Sequence, residues 1–118
     1  MNRREMFERL TAARVARLAT VDQTSGPHLV PIVFAVTGDR VCSVIDGKPK
    51  RSKDLKRLRN IRADDRVTLL VDHYDEDWAR LWWVRVDGSA RVVTSGEEQR
   101  RAIALLGDKY PQYGAMPP

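Results

Sequence analysis

A single cysteine, Cys42, stands among 118 residues, so no internal disulfide can form. It lies in an apolar stretch, where a thiol behaves as a small buried hydrophobe. Histidine is almost as scarce. His28 opens an apolar run and His73 sits beside acids, and one thiol with two scattered imidazoles is too few for a zinc site. No metal is therefore expected. The seven glycines form neither a GxGxxG nor a Walker pattern, which removes the common nucleotide-binding loops. No apolar run reaches the roughly 20 residues that a spanning helix needs, and the charged start MNRREMFERL is not a signal peptide. Together these absences suit a reducing cytoplasm with no membrane insertion. No Ser-His-Asp or comparable dyad is visible, so any chemistry would rest on a bound cofactor that the protein orients.

What is present is enough for a core. Apolar residues make up 42% of the chain, including three Trp, and this argues against disorder despite 31% charged residues. A chain of this length is one domain, residues 1–118, able to bury about two-thirds of its unfolded surface. Asn2 and Glu5 have the spacing of a capping box, and Met6, Phe7, Leu10 and Ala13 recur at helical intervals. Val15 to Val21 reads as a strand and Asp22 to Pro27 as a hairpin turn. His28 to Val36 is a near-continuous apolar run, and Thr37-Gly38-Asp39 turns it into a strand over Arg40 to Ile45. Pro31 removes a ladder donor within that run, which predicts a bulged or unpaired point whose backbone is a candidate ligand contact.

Ser52 to Arg62 predicts a helix. Leu55, Leu58 and Ile61 fall on one side, and Lys53, Lys56, Arg57 and Asn60 on the other. Arg66 to Val71 predicts a strand, His73 to Asp77 an acidic loop, and Leu81 to Val93 one or two strands pivoting at Asp87-Gly88. Ser95 with Glu98 predicts a second capping box, opening a helix through Leu106 that Gly107 closes. The tail from Tyr110, with three prolines and a glycine, predicts an extended or frayed end. Hairpins rather than crossover helices join most of the strands. The fold class that follows is α+β, mainly β: a small antiparallel barrel flanked by short helices.

Charge is distributed unevenly. Lys48, Lys50, Arg51, Lys53, Lys56, Arg57, Arg59 and Arg62 face one acid, Asp54, so residues 48–62 sum to +7 while the whole chain is +5. The basic character belongs to this one segment. Three partners fit it: bulk solvent, a nucleic acid, or the phosphate or carboxylate of a small cofactor held by a helix start together with Lys and Arg. Few aromatics interleave with the cations, which counts against base stacking. The adjacent pair Trp82 and Trp83, on a strand, must point to opposite faces, one inward and one towards an interface.

The succession LATVDQTSGPHLVPIVFAV, a short strand, a basic helix ending LRNIRADDRVTLLVD, and then WWVRVDGSARVV resembles the split β-barrel flavin and deazaflavin oxidoreductases, the pyridoxamine 5'-phosphate oxidase-like proteins with an FMN-binding fold. The stretch HYDEDWARLWWVRVDG is similar to an actinobacterial branch dependent on coenzyme F(420). The resemblance covers roughly Leu10 to Ser95. It implies a homodimer with cofactor clefts at the subunit interface, walled by Trp78, Trp82 and Trp83, and hydride transfer between F(420), or FMN as second choice, and a small organic substrate. It places the cofactor phosphate at Lys56 and Arg57, with Asn60 one turn on. Lys48, Lys50, Ser52 and Lys53 extend the same anion site towards an acidic tail. The flat ring is placed against Val30, Pro31, Ile32 and Val33 and the strand at Val44, Ile45 and Asp46. The alternative functions are a non-catalytic nucleic-acid-binding domain using the same helix, or a cofactor carrier. Two departures stand out. Asp64-Asp65-Arg66 replaces the usual Asp-Pro-Arg or Asn-Pro-Arg, and no aromatic-bearing final strand precedes Pro117-Pro118, so either a strand is missing or the barrel closes differently.

Overall fold

In the computed structural model, residues 1–44 and 52–114 are described, with the backbone alone at 52–55, 113 and 114. The chain opens with the expected capping box. Asn2 Oδ1 accepts from the Glu5 N–H at 2.8 Å and Glu5 Oε1 from the Asn2 N–H at 3.4 Å, which starts helix α1 (Arg3–Ala12). There follow β1 (Ala16–Asp22), β2 (Gly26–Ile32), β3 (Ala35–Thr37), β4 (Arg40–Cys42), α2 (Ser52–Ala63), β5 (Arg66–His73), β6 (Trp82–Ser89), α3 (Glu97–Lys109) and a helical turn, α4 (Pro111–Gly114). A 3-10 turn, Trp78–Arg80, precedes β6.

Four strands form an antiparallel sheet in the order β2-β1-β5-β6, and β3-β4 form a separate hairpin. Asp22 shapes the first turn by accepting from the Thr24 and Ser25 N–H groups at 2.8 and 3.2 Å, and Gly26 leaves it at φ +89°, a left-handed value that favours glycine. Strand alternation sends Ala16, Ile32, Leu69, Val71 and Val84 to one face, where they pack with Leu10 and Phe34. A second cluster, Ala35, Leu106 and Tyr110, seats α3 against β3. The tyrosine hydroxyl joins the two, accepting from the Phe34 N–H at 3.3 Å and reaching the Phe34 and Arg14 carbonyls at 3.0 and 2.9 Å. Among the described residues the sheet is open, with β2 and β6 at its edges, the split form of the expected antiparallel barrel.

Five expectations are corrected. Pro31 makes no bulge: it stands in register opposite Arg17 on an edge strand. Pro27 shares its parity, so both missing donors fall on the open side of the edge, where the ladder needs none. Asp87-Gly88 is no pivot either, since both pair within β6, opposite Thr68 and Val67, and the strand ends at Ser89 where the Ala90 N–H turns to the Asp65 carbonyl. Ser95 caps nothing. The α3 N-cap is Gly96 at φ +92°, and Glu98 is drawn away by Arg91, at 3.0 and 2.6 Å, and by Arg40 at 3.1 Å. Such charge-assisted bonds are stronger than a neutral cap. Gly107 lies inside α3, which runs on to Lys109 and stops before Pro111, because proline both lacks a donor and disfavours a helical residue before it. The tail expected to be extended begins with α4 and the buried Tyr110.

Candidate anion and cofactor site

Helix α2 lies against the hairpin end of β1 through polar contacts. Asn60 Nδ2 donates to Thr20 Oγ1 at 3.1 Å, both residues buried, and Lys56 Nζ meets Asp22 Oδ2 at 3.0 Å. Lys56 and Asn60 are one turn apart, so they share a face, and that face looks at the sheet. The polar side read from the sequence is thus shared out: Lys56 and Asn60 meet the sheet. Helical phase separates two faces but does not say which is covered, and here Thr20 and Asp22 provide polar partners for one of them. The ion pair with Lys56, together with the Thr24 and Ser25 N–H groups, holds the Asp22 carboxyl well below the usual carboxylate range.

Because Asn60 satisfies a buried hydroxyl, Asn60→Ala is expected to cost about 1–3 kcal/mol, the penalty of an unpaired buried polar group. Chemical denaturation with an unchanged m-value would show it. A loss under 0.5 kcal/mol would mean water replaces the amide.

Past that docked face, three cations remain. Arg57 is half-buried and Arg59 and Arg62 are exposed, and none of the three guanidinium groups pairs with a described residue. Arg66 behaves differently, binding Asp64 through Nε and Nη2 at 3.0 and 2.6 Å and lowering that carboxyl to about 2. With the Asp64 N–H on the Asn60 carbonyl at 2.8 Å, this pair fixes the exit of α2 where relatives are expected to carry proline.

The remaining candidates are scattered. Val30 and Ile32 turn into the core and Pro31 is exposed on the opposite face. Val33 and Val44 pack on the Ala35, Leu106 and Tyr110 cluster. Ser52 and Lys53 lie in the first turn of α2, while Ile45, Asp46, Lys48 and Lys50 fall outside the described residues. Trp82 is half-buried, stacked on His73 and covered by the Arg9 guanidinium, whereas Trp83 is 61% exposed, the opposed pair that strand geometry requires. Trp78 is 72% exposed, its indole N–H 3.5 Å from the Tyr74 hydroxyl. Cys42 is a half-buried free thiol whose ionisation burial pushes up. Sequence reasoning did not pick out Thr20 and Asp22 as the seat of α2, because a Thr within a strand and an Asp in a turn carry no distinguishing signal.

No group of three or more potential metal ligands occurs among the described residues, and none of the described helices is long and apolar enough to cross a membrane. The pyridoxamine 5'-phosphate oxidase family model matches residues 3–118. A 5a,11a-dehydrotetracycline/5a,11a-dehydrooxytetracycline reductase of Streptomyces rimosus is 32% identical over 95 residues, covering 78% of this chain and 64% of the reductase. The chain thus spans just under two-thirds of that relative's length. Among solved structures, a conserved hypothetical protein of Mycobacterium tuberculosis superposes with TM-score 0.78 at 24% identity, over 93% of this chain and 64% of the other. A FAD-binding protein of Mesorhizobium loti gives 0.72 at 24%, over 95% and 78%. The haem storage protein of Vibrio cholerae gives 0.71 at 17%, over 93% and 76%. These likenesses concern the fold, and they agree with the open antiparallel sheet. The family match runs from the first turn of α1 through the whole of the split barrel, and the chain belongs to the pyridoxamine 5'-phosphate oxidase family.

Proposed function

We propose that this protein is a homodimeric oxidoreductase that holds coenzyme F(420), or failing that FMN, through the basic segment leading into and along α2, and exchanges hydride with a small organic substrate. One contrast carries the reading. Arg4, Arg9, Arg40, Arg66, Arg80, Arg85, Arg91, Arg100 and Arg101 each face a carboxylate, whereas Arg57, Arg59 and Arg62 on a single helix face none among the described residues; the other arginines without one, Arg3, Arg14 and Arg17, are spread over α1, the link after it and β1. A half-buried guanidinium without a counter-ion is suited to a phosphate, which it can grip with two parallel N–H donors.

Arg57 is the proposed phosphate ligand, with Arg59 and Arg62 adding to the positive field. Lys56 and Asn60 hold the helix in place, and Lys48, Lys50, Ser52 and Lys53 extend the cationic path towards an acidic tail. The bound deazaflavin or flavin supplies the hydride chemistry, while the chain positions the ring and shields it from water. The reductase activity named for the Streptomyces relative supports an enzyme rather than a carrier.

Fluorescence titration of the purified protein with F(420) and with FMN tests this. Saturable binding of one of them at micromolar concentration, one per chain, is expected. No saturable binding of either, with salt-sensitive binding to random duplex instead, would replace the enzyme by a nucleic-acid-binding module.

A further inference from the structure

Among the described residues, two buried side-chain polar atoms find no hydrogen-bond partner, His28 Nδ1 and Lys109 Nζ. An unprotonated imidazole nitrogen leaves one lone pair unmet, whereas an ammonium leaves three donors and a charge. Lys109 closes α3, and its amine lies 4.1 Å from the centre of the Phe34 ring and 5.3 Å from that of Tyr110. Ring faces attract a cation, but they do not replace the acceptors that water would give it. The helix end has no need of the amine either. Arg14 already meets the α3 C-terminus, donating from Nη2 to the Lys109 carbonyl at 2.9 Å, with its guanidinium 4.4 Å over Tyr110. No carboxylate balances these two cations among the described residues. Asp108, next to Lys109 on α3, is exposed and makes no ion pair with it, and the Tyr110 hydroxyl is taken by backbone groups. Burial pushes the thiol of Cys42, on β4, up, so it stays neutral and lends no negative charge. Burial, and then the Arg14 charge, push the Lys109 amine down from the usual lysine value.

We propose that Lys109 is a nucleophilic amine, enclosed by Phe34 and Tyr110, that condenses with small uncharged aldehydes to form a Schiff base. A lysine becomes a nucleophile when it is desolvated or set beside another cation, and Lys109 meets both conditions. The lone pair of Nζ attacks the carbonyl carbon, and both amine hydrogens leave with the carbonyl oxygen as one water, so nothing is oxidised or reduced. The product suits the place better than the amine does. An imine carries at most one N–H where an ammonium carries three, which leaves fewer donors unmet, and its protonated form keeps a cation over the Phe34 ring. The surroundings set the class of ligand. Ala35, Leu106, Val33 and Val44 pack with Tyr110, and this apolar environment suits a short hydrocarbon chain. The amine is covered although the residue is only half-buried, so the reagent must be small. Arg14 precedes β1 and the Lys56–Asp22 contact lies at its other end, roughly 20 Å away at 3.3 Å per residue. The chemistry of Lys109 therefore stands whether or not α2 holds a cofactor.

Reductive trapping tests it. The full chain is incubated with propanal and sodium cyanoborohydride near neutral pH, and peptide mapping by mass spectrometry locates the propyl group left on nitrogen once hydride reaches the imine carbon. Lys109 is expected to be labelled about tenfold faster than Lys56, whose ammonium Asp22 holds at 3.0 Å. Arg14→Gln keeps a donor for the Lys109 carbonyl but removes the charge, so labelling of Lys109 should slow severalfold while that of Lys56 is unchanged. Lys109→Met should lose the label and melt no lower than wild type, because it takes an unpartnered polar group out of an apolar place at nearly constant length. Labelling of Lys109 no faster than that of Lys56, a rate that Arg14→Gln leaves unslowed, or a Tm lowered by several degrees in Lys109→Met would each overturn the proposal. The last result would make Lys109 a structural cation held by its two rings.

Discussion

Arg57→Glu is expected to raise the dissociation constant for the proposed F(420) or FMN cofactor about a hundredfold or more, with no change in fold. A charge-assisted hydrogen bond to an ionised partner is worth about 1.5–3 kcal/mol, and reversing the charge adds repulsion. At an effective dielectric near 20, two like charges 4 Å apart repel by roughly 4 kcal/mol, and half-exposure leaves only part of that. A combined loss near 3 kcal/mol corresponds to about 150-fold. Arg57→Lys keeps the charge but loses the planar fork, so it should fall between wild type and Arg57→Glu. Lys56 is a poorer probe, because its ammonium already holds Asp22 and its removal confuses ligand loss with a loosened helix. Fluorescence titration of the three proteins orders them, and an unchanged affinity for Arg57→Glu would move the phosphate site off α2.

The difference between Lys56 and Arg57 marks how far the sequence could be read. Local, self-contained signals survived: the Asn2–Glu5 box caps α1 as spaced, the Asp22 turn closes its hairpin, and Trp82 and Trp83 point apart. Each depends on residues within a few positions of one another. The Ser95–Glu98 box has the same local pattern and fails, because Arg40, 58 residues away, and Arg91 claim the glutamate. The polar side of α2 meets the same limit. Its phase was legible, but Thr20, 40 residues from Asn60, decides that Lys56 and Asn60 face inward. Helix α2 was therefore visible in the sequence, while the division of its cations into structural and available ones was not. Non-local hydrogen bonds leave no periodicity, and a single sequence offers no other trace of them.

Tyr110 is the extreme case, since a tail rich in proline and glycine conceals a residue that ties together parts of the chain 76 and 96 positions distant. Tyr110→Phe is expected to cost about 2–3 kcal/mol. The ring still fills its place beside Leu106, but the buried Phe34 N–H loses its acceptor and the Phe34 and Arg14 carbonyls lose their donor, at 1–3 kcal/mol for each group left unpaired. At roughly 4 °C per kcal/mol for a domain of this size, Tm should fall by about 10 °C. Tyr110→Ala also removes the ring that Arg14 covers at 4.4 Å, and the cavity beside Leu106 brings the loss to about 3–5 kcal/mol or more. Total stabilities are commonly 5–15 kcal/mol, so the alanine variant approaches global unfolding while the phenylalanine variant does not. A loss under 0.5 kcal/mol for Tyr110→Phe would show the hydroxyl to be a bystander. Cofactor affinity separates this role from that of Arg57. The contacts that seat α2, Asn60 on Thr20 and Lys56 on Asp22, include none of the groups that Tyr110 bonds, so a folded Tyr110→Phe protein should bind ligand as wild type does.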